Sequence, residues 1–194
     1  VIPESIPSTC DIAFKEWAGV CDALADGRQS LILRKGGIAE DAGEFRPEHS
    51  TFWLYPTHLH ESQQGLRDDH IPRAEGIPPG RLDLPALTQV ECVVWVDRPE
   101  LLEGIADLHV WTSETVLKRF QYRNPGLWVL GVRVFRADPP PRILVTSEQN
   151  GCKSWVSLDE PVGTNNVFPT VDDETLNDRL QRIRALSASD RGGQ

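Results

Sequence analysis

Apolar positions along this chain follow two rhythms. Four short extended runs have firm stops: Leu31–Leu33, Phe52–Tyr55, Val90–Val96 and Leu127–Phe135. In the third, Val90, Cys92, Val94 and Val96 alternate with Glu91, Val93 and Trp95. Both faces are largely apolar, which predicts a strand inside a sheet. The fourth is apolar on both faces too, and Pro139-Pro140-Pro141 ends it. Pro56 is expected to stop the second, and Trp155–Leu158 predicts a last strand. The other rhythm is helical. Phe14, Trp17, Cys21 and Leu24 fall on one helix face, with Gly27 placed for a C-terminal cap; the competing reading is a hairpin turning at Asp26-Gly27. Pro99–Ile105 predicts a short helix, and Ser113–Phe120 another with Ser113 as N-cap. His60 opens a further helical stretch to Leu66, and Pro72, Pro78, Pro79 and Pro85 predict irregular chain over 67–86. Leu176, Leu180, Ile183 and Leu186 form the stripe of a C-terminal helix that Thr170 is placed to cap. Together these elements predict one α+β domain: a central mixed or antiparallel sheet, flanking helices and a C-terminal helix. The expected boundaries are a loose arm at 1–12, the domain at 13–158, a linker and dispensable helix at 159–186, and a disordered tail at 187–194.

Length and charge narrow the partners. A chain of 194 residues fits one domain. The net charge of −9 opposes sequence-blind binding along nucleic-acid phosphates, while a local basic patch keeps nucleic acid open as a partner. No run approaches the roughly 18 apolar residues of a membrane span. Val1–Cys10 lacks the basic and apolar regions of a signal peptide, so a soluble cytoplasmic protein without a membrane partner is expected. Cys10, Cys21, Cys92 and Cys152 show no C-x-x-C spacing and are expected as reduced, mostly buried thiols. The six tryptophans, Trp95 among them, are expected in the core.

A set of short segments recurs in a fixed order: Lys15-Glu16-Trp17, Leu33–Ile38, Glu48-His49, Tyr55-Pro56-Thr57 with His60, His109–Thr112, and Gly151–Trp155. In this order and spacing the chain resembles the bacterial domain-of-unknown-function family DUF1802, from about residue 13 to about residue 158. The resemblance implies no activity. His60 stands at the family's histidine; Glu61 follows where the family has glutamine, and His58 is an addition.

Four constellations carry candidate chemistry. Arg34-Lys35-Gly36-Gly37 follows a strand, and its cations and glycine amides suit a phosphate, although it lacks the Walker spacing. The other reading is a basic strand end followed by a glycine turn. Glu48, His49, His58, His60 and Glu61 gather imidazoles and carboxylates, which suit a metal of unspecified identity, a general base at His49 or His60, or loop hydrogen bonds. Cys152, within Gly151–Trp155, lies beside Lys153 and is a candidate nucleophile or a buried thiol. His109–Thr112, with Arg119 and Arg123, joins aromatic and basic groups that can stack on a base or clamp a phosphate, or else anchor the core. A Nudix-type hydrolase is set aside because no R-E-x-x-E-E run is present.

Two functions stay open. The first is an enzyme, or enzyme-like domain, acting on a phosphate-bearing small molecule or nucleotide. Arg34, Lys35, Gly36, Gly37 and Thr57 would hold the ligand, with His49, His60, Glu48 and Cys152 as catalytic groups. The alternative is a barrel-like module that binds nucleic acid or a modified base, with Trp111, Arg119 and Trp155 lining the site; His109 and Ser154 are further candidate ligand-binding residues. A purely structural protein would engage a partner through its C-terminal helix. The residues name no cofactor and fix no oligomeric state.

Overall fold

Strand pairing decides how the chain begins. Thr9–Trp17 form β1, held between two other strands, and only then does helix α1 run over Ala18–Ala25. Phe14 and Trp17 therefore belong to a strand: the helical spacing from Phe14 to Leu24 straddles two elements, and tertiary pairing overrides it. The arm expected at 1–12 likewise gives way to strand from Thr9. Gly27 does follow the helix, at φ 71°, and a Cβ there would lie 2.5 Å from the Thr170 carbonyl.

The computed structural model describes residues 5–35, 48–58, 65–67, 80–149 and 153–188. The strands after β1 are β2 (Leu31–Arg34), β3 (Thr51–Thr57), β4 (Arg81–Asp83), β5 (Ala86–Val96), β6 (Leu127–Ala137), β7 (Arg142–Leu144), β8 (Trp155–Gly163) and β9 (Val167–Pro169). A 3-10 helix covers Pro99–Leu108, α2 covers Ser113–Gln121 and α3 covers Asp173–Ala188. The result is the α+β domain expected, with a mixed central sheet. All four extended runs are strands in it. Pro56 does not stop β3. The β5 pairing covers only Thr51–Trp53, so Pro56 stands where β3 pairs with β1 alone and its missing N–H is tolerated. Ser113 is not the cap of α2; Thr112 is, its hydroxyl accepting the Thr115 N–H at 3.3 Å. Nor does Thr170 cap α3: its hydroxyl bonds the Val134 carbonyl, and the Asp172 carboxylate accepts the Thr175 N–H at 2.7 Å. The helix expected from His60 lies mostly outside the described residues.

The main sheet runs β2-β6-β5-β3-β1-β8, with β9 also paired to β6. β1 and β3 are parallel and the other pairs antiparallel. This order puts β8 on one edge and β2 with β9 on the other. Yet Gly163 of β8 and Val167 of β9 are four residues apart, a reach of about 14 Å at most. The sheet must therefore curl until its edges nearly meet. At its other end the edges are joined by a side chain, since Arg34 of β2 donates to Ser154, just ahead of β8. The region where Arg34 of β2 meets Ser154, just ahead of β8, is the mouth of the curled sheet.

α3 closes the outside. Leu176, Leu180, Ile183 and Leu186 are buried, and the helix packs on β5, β6 and the 3-10 helix. Gly131 in β6 makes room, because a Cβ there would lie 2.7 Å from Leu180 Cδ2. Arg179 donates to the Gly27 carbonyl (2.8 Å), and Arg182 to the Gly104 carbonyl (2.7 Å) and Asp107 (2.9 Å). Trp95, expected in the core, is 39% exposed; its ring packs on Trp128, 4.9 Å between centroids.

The buried stripe makes α3 part of the core, against the expectation that it is dispensable. Ile183→Ala should cost about 2–4 kcal/mol in urea unfolding, and truncation before Asp173 should abolish the cooperative melting transition.

Candidate functional site

The mouth gathers charge among aromatic rings. Glu16, near the end of β1, is 5% exposed. Its Oε1 accepts the Trp17 N–H at 2.9 Å, while Oε2 has no partner among the described residues. The Glu16 carbonyl accepts the Thr57 hydroxyl at 3.0 Å, which ties the end of β3 to β1. A buried carboxylate is costly unless cations lie near, and two do. Arg34 lies over the Phe14 ring, 4.7 Å from its centroid, while bonded to Ser154. Arg119, on α2, lies between two indoles, 4.1 Å from the Trp17 centroid and 5.0 Å from that of Trp111. Burial lowers the pKa of both guanidiniums and the Glu16 charge opposes that; Arg34 lowers Arg119 further. Both stay cationic, as arginine does in proteins. Among the described residues nothing accepts a hydrogen bond from the Arg119 guanidinium.

Trp155 lines the same end. Its ring meets Phe14 at 4.7 Å, Phe52 at 5.0 Å and His49 at 5.2 Å, in edge-to-face geometry. The indole nitrogens of Trp155 and Trp111 are buried without hydrogen-bond partners among the described residues. Arg34, bonded to Ser154, and Trp155, packed on His49, thus meet at Phe14, while Arg119, stacked on Trp111, is within electrostatic reach of Glu16 and Arg34.

Other candidates lie elsewhere. The Lys35 ammonium donates to the carbonyls of Phe120 (2.6 Å), Gly126 (2.9 Å) and Asn124. All three of its protons are engaged at the C-terminal end of α2, where a cation also meets the helix dipole. Of the basic pair expected to hold a phosphate, Arg34 alone faces the mouth. Glu48 is exposed. His109 is 4% exposed and its Nδ1 is unpartnered, but it lines a separate cleft between the 3-10 helix and α2. Gly36, Gly37, His60 and Cys152 lie outside the described residues. Among the described residues no three His, Cys, Asp or Glu side chains gather as metal ligands.

Glu16, Trp17 and Phe14 were missing from the sequence-based set. The signal was present: read as a strand, Ile12–Trp17 puts a carboxylate into an apolar run. Read as a helix, it sends Glu16 to a solvated face.

A curled mixed sheet with a buried carboxylate, two guanidiniums and tryptophans at its mouth defines a barrel-like α+β domain. The chain belongs to the DUF1802 family, a domain of unknown function, whose family model matches residues 13–182. That span runs beyond residue 158 and takes in most of α3. No curated protein matches the chain. Among solved structures it is similar to the ASCH protein of Zymomonas mobilis, at 12% identity and a TM-score of 0.45, covering 91% of this chain and 94% of that one. Two single-substitution variants of that protein match at TM-scores of 0.44 and 0.42, with 13% and 12% identity. They cover 91% and 94% of this chain and 97% and 99% of their own. A likeness this distant assigns no function.

Two outcomes are expected. Lys35→Met should lower stability by about 1–3 kcal/mol, since three charge-assisted hydrogen bonds at one turn are lost; thermal and urea melts measure it. The second concerns His109, whose pKa is held at about 4, by burial first and then by Arg67. Unfolded, it titrates near 6.5, so the unfolded chain takes up the proton first. Stability is complete above about pH 6.5 and is lost as pH falls toward 4. From pH 7 to pH 5 the loss should be about 2 kcal/mol, and smaller in His109→Gln.

Proposed function

We propose that the mouth of the sheet is a binding module for an unstacked nucleobase, carried by a nucleotide or a single-stranded nucleic acid. The observation that carries this reading is Arg119, held over the rings of Trp17 and Trp111 with no acceptor among the described residues, within electrostatic reach of Glu16, whose Oε2 has no partner among them. A base edge offers the complement: amino protons for a carboxylate, and ring nitrogens or carbonyl oxygens for a guanidinium. The half-buried rings of Trp17 and Trp155 supply stacking surface, which accepts any base face. The net charge of −9 suits a site that recognises the base more than the phosphate chain. Engagement of Lys35 with three carbonyls weighs against a phosphate cradle at Arg34-Lys35.

Tryptophan fluorescence titrations separate the two readings. Nucleosides and nucleoside monophosphates should quench and saturate with similar affinity, and ribose 5-phosphate should not bind. Glu16→Gln and Arg119→Lys should each weaken nucleoside binding by about tenfold or more, the scale of one base contact. Binding of short single strands should depend weakly on salt, since few phosphates are neutralised. Ribose 5-phosphate binding as tightly as the nucleotides would overturn the base reading in favour of an anion site.

A further inference from the structure

An exposed indole stands in line with the mouth. Strands β2, β6 and β5 run side by side in that order. Across them Arg34 is opposite Trp128, and Trp128 is opposite Trp95. Residues directly opposite on paired strands share a face, so these three side chains leave the sheet on one side. At the usual strand spacing the row is about 10 Å from end to end. Arg34 ends it at the mouth, bonded to Ser154 over the Phe14 ring. Trp95 ends it at the surface, 39% exposed between the buried Val94 and Val96. Two contacts hold its ring. Trp128 packs on it with 4.9 Å between centroids. Gly126, at φ 131°, lies against its six-membered ring: a Cβ there would come within 2.1 Å of Trp95 Cζ2, so glycine lets the indole settle on the turn after α2. The Gly126 carbonyl is bonded in turn by Lys35, the residue after Arg34, at 2.9 Å.

Charge says what such a row is built to meet. From Thr115 to Arg136, which covers most of α2, the turn and most of β6, the chain has five basic residues and no acidic one, within a total of −9. Lys118, Arg133 and Arg136 are paired with carboxylates. Arg119 and Arg123 bond no carboxylate among the described residues. Arg123 stands in the exposed turn, its guanidinium 5.2 Å from the centroid of the Tyr122 ring. We infer that the Trp95–Trp128 pair is a second subsite, which stacks the base next to the one held in the mouth, so that the ligand is a single-stranded nucleic acid of two or more nucleotides and not a free nucleotide. The inference rests on the base-binding reading of the mouth and adds the neighbour of that base. Every base offers a face to an indole, and the phosphate that joins two bases is drawn to a guanidinium. Arg34 at one end of the row and Arg123 in the turn after α2 supply that attraction. The ring of Trp95 is fixed by Trp128 and Gly126 before a base arrives, which lowers the entropy lost on stacking.

The test is calorimetric titration of the whole chain with three kinds of probe: the four nucleoside monophosphates, the four dinucleotides made of one base each, and the same dinucleotides with either base removed. The dinucleotide of the base that the mouth prefers should bind about tenfold tighter than its monophosphate, the scale of one stacked base. Its abasic forms keep the sugar and the phosphate and should lose that gain, a comparison that needs no variant. Trp95→Ala should bring the ratio of dinucleotide to monophosphate affinity close to one, and Trp95→Phe should keep most of it. A dinucleotide that binds no tighter than its abasic forms, or a gain that persists in Trp95→Ala, would overturn the second subsite and leave the mouth reading standing. A gain lost in Trp95→Ala while Glu16→Gln and Arg119→Lys leave every probe unchanged would keep the row and sink the mouth reading. Binding of none of the probes overturns both. Dimerisation in sedimentation experiments that disappears in Trp95→Ala would give the row to a second copy of the chain and likewise overturn the proposal.

Discussion

The contact on which the fold and its site both depend is Arg34 reaching from β2 across Phe14 to Ser154. It joins strands that the hydrogen-bonded ladder leaves on opposite edges. A sheet with two free edges exposes unpaired backbone groups. Curling brings those edges together, and at the mouth a side chain completes what backbone bonds do not. The guanidinium loses water in doing so, a cost that for a buried ion is several kcal/mol. Glu16 offsets part of it, and the face of Phe14 a further part. Glu16 also lies within electrostatic reach of Arg119, so one carboxylate balances two cations. The cluster keeps a net positive charge inside a protein whose total is −9.

That arrangement explains which parts of the chain could be read in advance. Leu31–Leu33, Phe52–Tyr55, Val90–Val96 and Leu127–Phe135 all lie in strands of the main sheet, where apolar runs and strand identity coincide. Arg34, Trp111, Arg119, Ser154 and Trp155 were visible as site candidates because polar and aromatic residues at strand ends and before helices stand out from a core pattern. Glu16 was hidden by period. Phe14, Trp17, Cys21 and Leu24 imitate a helix, and only pairing with β3 and β8 shows that the first two belong to a strand. Lys35 was legible as a cation but not by role: its acceptors are carbonyls 85 to 91 residues away, which no local motif encodes. The cap positions moved for a related reason. Thr170 and Ser113 are chemically able caps, but the neighbouring Asp172 and Thr112 meet the free N–H groups.

Base binding and phosphate binding place opposite demands on such a mouth. A phosphate site needs convergent cations and free amides. Here Arg34 is held by Ser154, and Lys35 by the end of α2. A base site needs fixed aromatic planes and a few unpartnered polar atoms between them. The mouth holds Trp17, Trp111 and Trp155, with Glu16 Oε2 and the Arg119 guanidinium without hydrogen-bond partners among the described residues.

The rigidity of those planes comes from a short strap, residues 65–67. Leu66 pairs with Trp111 as a β-bridge, the Thr112 N–H donates to the Gly65 carbonyl (2.9 Å) and the Arg67 N–H to the Val110 carbonyl (3.0 Å). Gly65 sits at φ 59°, and a Cβ on it would fall 1.7 Å from Thr115 Oγ1, so only glycine lets the strap lie this close to the first turn of α2. The strap locks the backbone on both sides of Trp111, and Thr112 starts the helix that carries Arg119. Indole and guanidinium are thus set by one local structure. Holding side chains in place beforehand lowers the entropy lost on binding. It also ties the two clefts together: His109 packs on Trp111 at 5.5 Å, so the wall of the outer cleft rests on the ring against which Arg119 is stacked.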